Sequence, residues 1–161
     1  MHHDELGSGH RSGMDRQSPR GELTAARLRP ARAMFRRIPY HRLLRLELLD
    51  LGPPTAVELT GQVDVRGVGR VHGGAIASLI DATCGVAAAA TCAHVQRTLT
   101  TELRIRYLAA GKTLPLTALA SVIRGDGQCL ELECHVTDAH ADEVAVAWAT
   151  LSILPTSPRS Y

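Results

Sequence analysis

The stretch Val71-His72-Gly73-Gly74-Ala75-Ile76-Ala77-Ser78-Leu79-Ile80-Asp81-Ala82-Thr83-Cys84-Gly85-Val86-Ala87-Ala88-Ala89-Ala90 decides the fold. Its one formal charge at neutral pH is Asp81, and the nearest others along the chain are Arg70 and Arg97. From Ala75 onward nearly every residue is small or aliphatic, so the run predicts a long helix over about 73–93 with no polar face. A helix that is apolar all round is normally buried. Asp81 is therefore expected inside the packing, where an ionisable group is costly and marks a site of chemistry. The plainer reading is a carboxylate hydrogen-bonded within the helix packing and serving structure alone.

Working downstream, period-two alternation predicts four strands. Residues 98–108 set Leu103, Ile105 and Tyr107 opposite Glu102, Arg104 and Arg106. A turn at Ala109-Ala110-Gly111-Lys112 leads into 114–124, and Gly125-Asp126-Gly127 makes a hairpin into 128–137. Asp138–Asp142 then turns into 143–153. Working upstream, residues 56–65 alternate cleanly and 42–50 read as a first strand, separated by Gly52-Pro53-Pro54. A short helix is expected from Pro30 to Arg37. The order α-β-β-α-β-β-β-β, with short hairpins joining the last four strands, gives an α+β fold: an antiparallel sheet covering one central helix.

Composition sets the outer limits. A chain of 161 residues that is 45% hydrophobic suits one domain, and 3% aromatic content leaves its core to Leu, Val, Ile and Ala. Residues 1–22, rich in Gly, Ser, His and Arg, read as a disordered tail; 23–154 form the domain, and 155–161 a short tail. The N-terminus carries no signal-peptide pattern, and residues 75–93, mostly Ala around Asp81 and Gly85, make a poor membrane span, so a cytoplasmic protein is expected. Arg27, Arg29, Arg32, Arg36, Arg37, Arg42 and Arg45 fall in a stretch without an acid. This reads first as a solvated helix face; a nucleic-acid patch, a membrane patch and a phosphate landing site are the other readings. Cys84, Cys92, Cys129 and Cys134 contain no CxxC pair and suggest buried thiols. His94 and Cys92, taken with His72 or Cys84, match no familiar metal spacing, and no metal or other cofactor is expected. Gly67-Val68-Gly69 before Gly73 has the wrong spacing for a dinucleotide fingerprint and lacks βα repeats after it.

With the HGG at 72–74 and the Asp nine places after His72 in Ser78-Leu79-Ile80-Asp81, the chain resembles the hotdog-fold thioesterase superfamily of the phenylacetate-pathway and 4-hydroxybenzoyl-CoA type. Gly85 fits, as do Thr98–Leu108 after the helix, and Ile38-Pro39-Tyr40 with Leu43-Leu44 at the start of the first strand. The resemblance spans about residues 30–154. It implies a long helix lying in the curve of an antiparallel sheet, and hydrolysis of an acyl-CoA thioester at two sites across a dimer interface. In that family the matching residues place Asp81 as base or nucleophile, Gly73 as oxyanion donor, and a Ser or Thr at Thr100. Strict alternation, however, sets Thr100 beside Glu102 and Arg104, away from the apolar face. It reaches the site only if the strand bends.

The physics of the residues agrees with that chemistry. Gly73 and Gly74 open a helix, where free N–H groups and the helix dipole favour developing negative charge. Glycine there lets a carbonyl approach the backbone. Asp81 is the candidate to activate water or attack directly. Gly73 and Asp81 lie about 12 Å apart along one helix, too far to serve one carbonyl. If both act they come from different subunits, so a homodimer or homotetramer is expected. His72 orients the loop, caps the helix or touches substrate. Where many relatives carry Asn, this chain has Arg66; Arg66 and Arg70 are candidates for coenzyme A phosphates, Gly74 for substrate contact, and Thr83 for lining the pocket. No nucleic-acid or membrane partner is expected. Two rivals stand beside the acyl-CoA thioesterase. One is a hotdog hydratase or dehydratase using His72 and Asp81, although the prolines around the histidine or the different acid–histidine arrangement usual in that class are absent. The other is a module that binds acyl-CoA without turnover.

Overall fold

A computed structural model describes residues 19–60, 69–91 and 97–154. The elements are α1 Pro19–Arg37, α2 Pro39–Leu44, β1 Leu46–Asp50, β2 Thr55–Leu59, α3 Gly73–Thr91, β3 Arg97–Tyr107, β4 Leu116–Gly125, β5 Cys129–Thr137 and β6 Glu143–Leu154. Six strands form one antiparallel sheet in the order β1-β2-β4-β5-β6-β3. Helix α3 lies across its inner face and packs against β2, β3, β4, β5 and β6. This is the α+β arrangement the alternation predicts.

The core follows from the period of each element. From α3 it takes Ile76, Leu79, Ile80, Thr83, Cys84 and Ala88; from the sheet, Val57, Leu59, Leu116, Ala118, Leu132, Val136, Ala147 and Leu151. Alanines at 118, 120, 145, 147 and 149 let the helix sit close to the middle of the sheet. Cys84 on α3 and Cys134 on β5 are buried free thiols. The neighbouring Cys84 thiol, with burial, pushes the Cys134 thiol far up, so it stays protonated. Cys92 and His94 lie outside the described residues.

Two differences from the sequence reading sit at the N-terminal side. The helix expected over 30–37 begins at Pro19 and passes through Pro30. Leu, Ala and Arg before that proline are strong helix formers, and Leu28 and Ala31 pack against the core. Residues 42–45, expected in the first strand, instead finish α2. Pro39 holds its first position, behind Ile38 in extended conformation, and Arg45 ends it with φ 54°. The first strand is thereby shortened to Leu46–Asp50. The second ends at Leu59 rather than near 65; residues 61–65 lie outside the described residues.

The basic run acquires specific tasks. Arg32 donates through Nε to the Leu48 carbonyl and through Nη2 to the Leu49 carbonyl, both at 2.7 Å, where β1 bulges. Arg27 reaches the Ala90 carbonyl in the last turn of α3 at 3.2 Å, a favourable place for a cation. Arg36 faces Glu47 at 3.7 Å. Several of these charges thus tie α1 to an edge of the sheet and to the far end of the central helix.

Candidate functional site

Asp81 is exposed, contrary to the burial expected from the apolar run. Helix α3 is only part-buried, although its length and apolar composition are those of a membrane-crossing helix. One side packs on the sheet, while Gly74, Asp81 and Ala89 are exposed and Ser78 and Gly85 half-buried along the other. These positions recur at helical spacing and, Asp81 apart, are small. An apolar composition therefore hides two different faces: one of Ile, Leu and Cys for the core, and one of Gly, Ser and Ala around a carboxylate.

Thr100 donates to Asp81 Oδ1 at 2.7 Å. The bend that alternation required is present. Between Thr100 and Glu102 the β3–β6 register shifts, so that Thr100 pairs with Leu151 and Glu102 with Thr150, and Thr101 is the extra residue. Before the bulge Thr98 and Thr100 turn towards α3; after it Leu103 and Ile105 do. The Thr101 hydroxyl bonds to the Thr150 carbonyl at 3.0 Å at the same place. Strict alternation thus assigned Thr100 to the wrong face because it carried one register through an inserted residue.

At the start of α3, His72 is the helix cap. Its carbonyl accepts from Ala75 and Ile76 N–H, and its Nδ1 accepts from Gly74 N–H at 2.9 Å. Nδ1 therefore carries a lone pair. A Cβ on Gly74 would lie 3.0 Å from that nitrogen, so glycine at 74 is what lets the ring fold down. A Cβ on Gly73 would meet only the Tyr107 ring, at 3.6–3.7 Å, an ordinary contact. Among the described residues nothing forbids alanine there. Among the described residues Gly73 N–H has no partner, as expected for the first turn of a helix.

Further side chains converge here. Tyr107 donates to the Gly73 carbonyl at 2.9 Å. Ser78 donates to the Gly74 carbonyl at 2.9 Å, which leaves its oxygen to accept from the Tyr40 hydroxyl at 2.8 Å. His41, beside Tyr40 on α2, donates from Nδ1 to the Phe35 carbonyl at 3.2 Å and stacks at a tilt on the Phe35 ring. Burial holds its pKa below the ordinary histidine value, partly opposed by that carbonyl and by the charge of Asp81. The sequence reading used Tyr107 only as a strand residue and gave Ser78, Tyr40 and His41 no task. A polar serine one turn before the lone carboxylate was the available signal.

Other candidates fall elsewhere. Thr83, read from the sequence either as lining the pocket or as packing, is buried, and its hydroxyl bonds back to the Leu79 carbonyl at 2.6 Å. Two residues from Asp81 is about 200° round the helix, which carries it to the core side. Arg66 lies outside the described residues. Arg70 shares a cavity of about 300 Å³ with Lys112 at the turn after β3, but Asp138, Asp142 and Glu143 line its other side. Among the described residues no three His, Cys, Asp or Glu side chains come together as metal ligands would.

Residues 68–145 match the model of the Thioesterase superfamily. They belong to that family. Solved structures extend the likeness to most of the chain. Conserved protein PA5202 from Pseudomonas aeruginosa is 28% identical with a TM-score of 0.68, over 72% of this chain and 94% of its own. The E. coli PaaI protein from the phenylacetic acid degradation operon gives 18% and 0.73, over 83% and 96%. Thioesterase HI1161 from Haemophilus influenzae gives 14% and 0.75, over 83% and 94%. The last two likenesses speak to the fold, which is the hotdog: a long helix wrapped by an antiparallel sheet. No curated protein matches the chain by sequence.

Proposed function

We propose that this member of the thioesterase superfamily hydrolyses acyl-CoA thioesters at a site built from two copies of the chain. Asp81 and Thr100 come from one copy, and the Gly73 N–H and His72 from the other. The observation that carries this reading is the Thr100–Asp81 hydrogen bond on the exposed, small-residue face of α3. A carboxylate fixed at one oxygen keeps the other free to act, and it stands where a second chain and a substrate have room.

In this reading the thioester carbonyl accepts from Gly73 N–H, where the helix start favours the charge that develops on oxygen. Asp81 removes a proton from water as the water oxygen bonds to the carbonyl carbon. When the tetrahedral intermediate collapses the carbon–sulfur bond breaks, and the thiolate leaves and takes up a proton. Direct attack by the carboxylate, followed by hydrolysis of the anhydride, uses the same groups. The Gly73 N–H, which has no partner among the described residues, supports its use as the donor to a carbonyl. Arg70 and Lys112, which line one cavity, are the cations this reading offers to the coenzyme A phosphates.

The sheet edges support the paired arrangement. Helix α1 packs along β1, where Arg32 takes two carbonyls, whereas β3 is eleven residues long and, among the described residues, has no partner on its outer side. An open edge of that length is a template for a second strand.

The test is thiol release from short-chain, long-chain and aromatic acyl-CoAs by wild type and Asp81→Asn. Turnover is expected for at least one class, with kcat lower by about 10² or more in the variant. Retained activity in Asp81→Asn removes that residue from the mechanism. Binding without release by wild type replaces the enzyme with an acyl-CoA-binding module.

A further inference from the structure

We infer that Tyr107 and His72 are positioning residues that clamp the Gly73–Gly74 peptide and so aim the Gly73 N–H at the thioester oxygen. The inference rests on the thioesterase reading above. The carbonyl of Gly73 and the N–H of Gly74 belong to one rigid peptide plane. Tyr107 Oη donates to that carbonyl and His72 Nδ1 accepts from that N–H, each at 2.9 Å. The plane is thus held at both ends by side chains from different elements, the end of β3 and the cap of α3.

The clamp answers a problem the sequence creates. Two consecutive glycines give the backbone more freedom than any other pair. A donor that must meet a developing oxyanion loses much of its effect when displaced, since a misplacement of about 1 Å can cost about 10²-fold in rate. Gly73 N–H lies in the preceding peptide and shares its Cα with the clamped plane. Fixing that plane therefore restricts the donor without occupying it. Ser78 adds a third restraint by donating to the Gly74 carbonyl at 2.9 Å.

Tyr107 is 50% exposed. Its hydroxyl is not needed to fill the core, and water can replace it on the Gly73 carbonyl. Its geometry serves the loop. His72 in turn acts through its lone pair as an acceptor. A proton on Nδ1 would abolish this bond, so in the clamped state that nitrogen is not the acid of a reaction.

The experiment uses the full chain and four proteins: wild type, Tyr107→Phe, His72→Ala and His72→Asn. Asparagine is a strong helix cap through its side-chain oxygen but cannot shuttle a proton. Steady-state hydrolysis of the best acyl-CoA and amide hydrogen exchange at Gly74 are both read. Tyr107→Phe is expected to lower kcat about tenfold with KM and melting temperature unchanged, because the donor is loosened rather than removed. His72→Ala should lower kcat further and expose Gly74 N–H to exchange, and His72→Asn should restore most of both. An asparagine variant that folds, protects Gly74 and stays as inactive as the alanine variant would make His72 an acid or base and overturn the clamp. So would a Tyr107→Phe enzyme with wild-type kcat. If wild type hydrolyses no ester, the thioesterase reading fails by itself. The clamp is then judged on exchange alone, and unchanged Gly74 protection in His72→Ala refutes it.

Discussion

Replacing Thr100 with valine removes a hydroxyl and keeps the branched shape of the side chain, so it isolates the bond to Asp81. That bond is 2.7 Å long and has an ionisable acceptor. Hydrogen bonds to charged groups contribute about 1.5–3 kcal/mol. Because Asp81 is exposed, water takes the vacated position on Oδ1, and the change in folding stability should stay within about 0.5 kcal/mol. The consequence is catalytic. With Oδ1 held by the strand, the carboxylate plane is fixed and Oδ2 presents one direction to water or carbonyl. Without it the group rotates among several hydrated orientations. A loss of about 1.5 kcal/mol of transition-state positioning is roughly tenfold in rate. Thiol release at saturating acyl-CoA should therefore fall about tenfold in Thr100→Val while the thermal melt stays in place. Thr100→Ser keeps the donor on the bulged strand and should retain most of the activity. A valine variant with wild-type kcat would show that the bond orients nothing of consequence. Equal impairment of the valine and serine variants would show that the β-methyl group, and not the hydroxyl, is what the site needs.

The other predictions concern the exposed side of the central helix and the helix beside it. A Cβ on Gly85 meets nothing within 4 Å among the described residues of the single chain, so alanine there should favour the isolated protomer by up to about 1 kcal/mol. With a second copy on this face the same methyl group collides, and Gly85→Ala is expected to shift the protein to smaller species on sizing and to lower activity. An unchanged assembly with a raised melting temperature would place the partner elsewhere. Burial lowers the pKa of His41 below its ordinary 6.5, so the unfolded chain binds more protons than the native one between the two values. The neutral ring's contribution is full above 6.5 and fades as pH falls through that window. Melting temperature should drop as pH falls below about 6.5 more steeply in wild type than in His41→Gln; parallel curves would show that His41 is not the group responsible.

How much of this was legible in the sequence depends on which physical signal each residue left. The strands after α3 could be read because period-two alternation records which face is buried, and the hairpin glycines record where the chain turns. Thr100 was misassigned for the same reason the strands were found. A bulge changes the phase of the pattern at Thr101, and two adjacent threonines give alternation nothing to detect it by. The small helix α2 was missed because Leu43, Leu44, Leu46 and Leu48 look alike to any pattern; the proline at 39 and the left-handed Arg45 decide between helix and strand. Asp81 was singled out by its lone charge. Its exposure was misjudged, because hydropathy does not distinguish a face buried by its own sheet from one made of small residues and left bare. The arginines of α1 offered only charge density; Arg27 and Arg32 reach carbonyls of the last turn of α3 and of β1, backbone groups that no side-chain pattern encodes.

The misjudged burial is also what gives the site its form. A carboxylate meant for water or a carbonyl cannot lie in a closed core without losing access, and it cannot stand in open solvent without losing field strength. Placing it on a bare stripe of glycine, serine and alanine meets both demands once a second surface covers that stripe. The helix geometry then decides what the second surface must bring. The donor at Gly73 and the carboxylate at Asp81 lie two turns apart on one rod, with free ends at different places along it. Antiparallel pairing of two such rods brings the start of each towards the middle of the other, which joins one chain's donor to the other's carboxylate. The edges are unequal in the same sense: α1 and Arg32 cover β1, while β3, which in this arrangement carries Thr100 to the Asp81 half of one site and Tyr107 to the Gly73 half of the other, is among the described residues left free to pair. A reaction that needs both groups therefore makes assembly a requirement of chemistry as well as of burial.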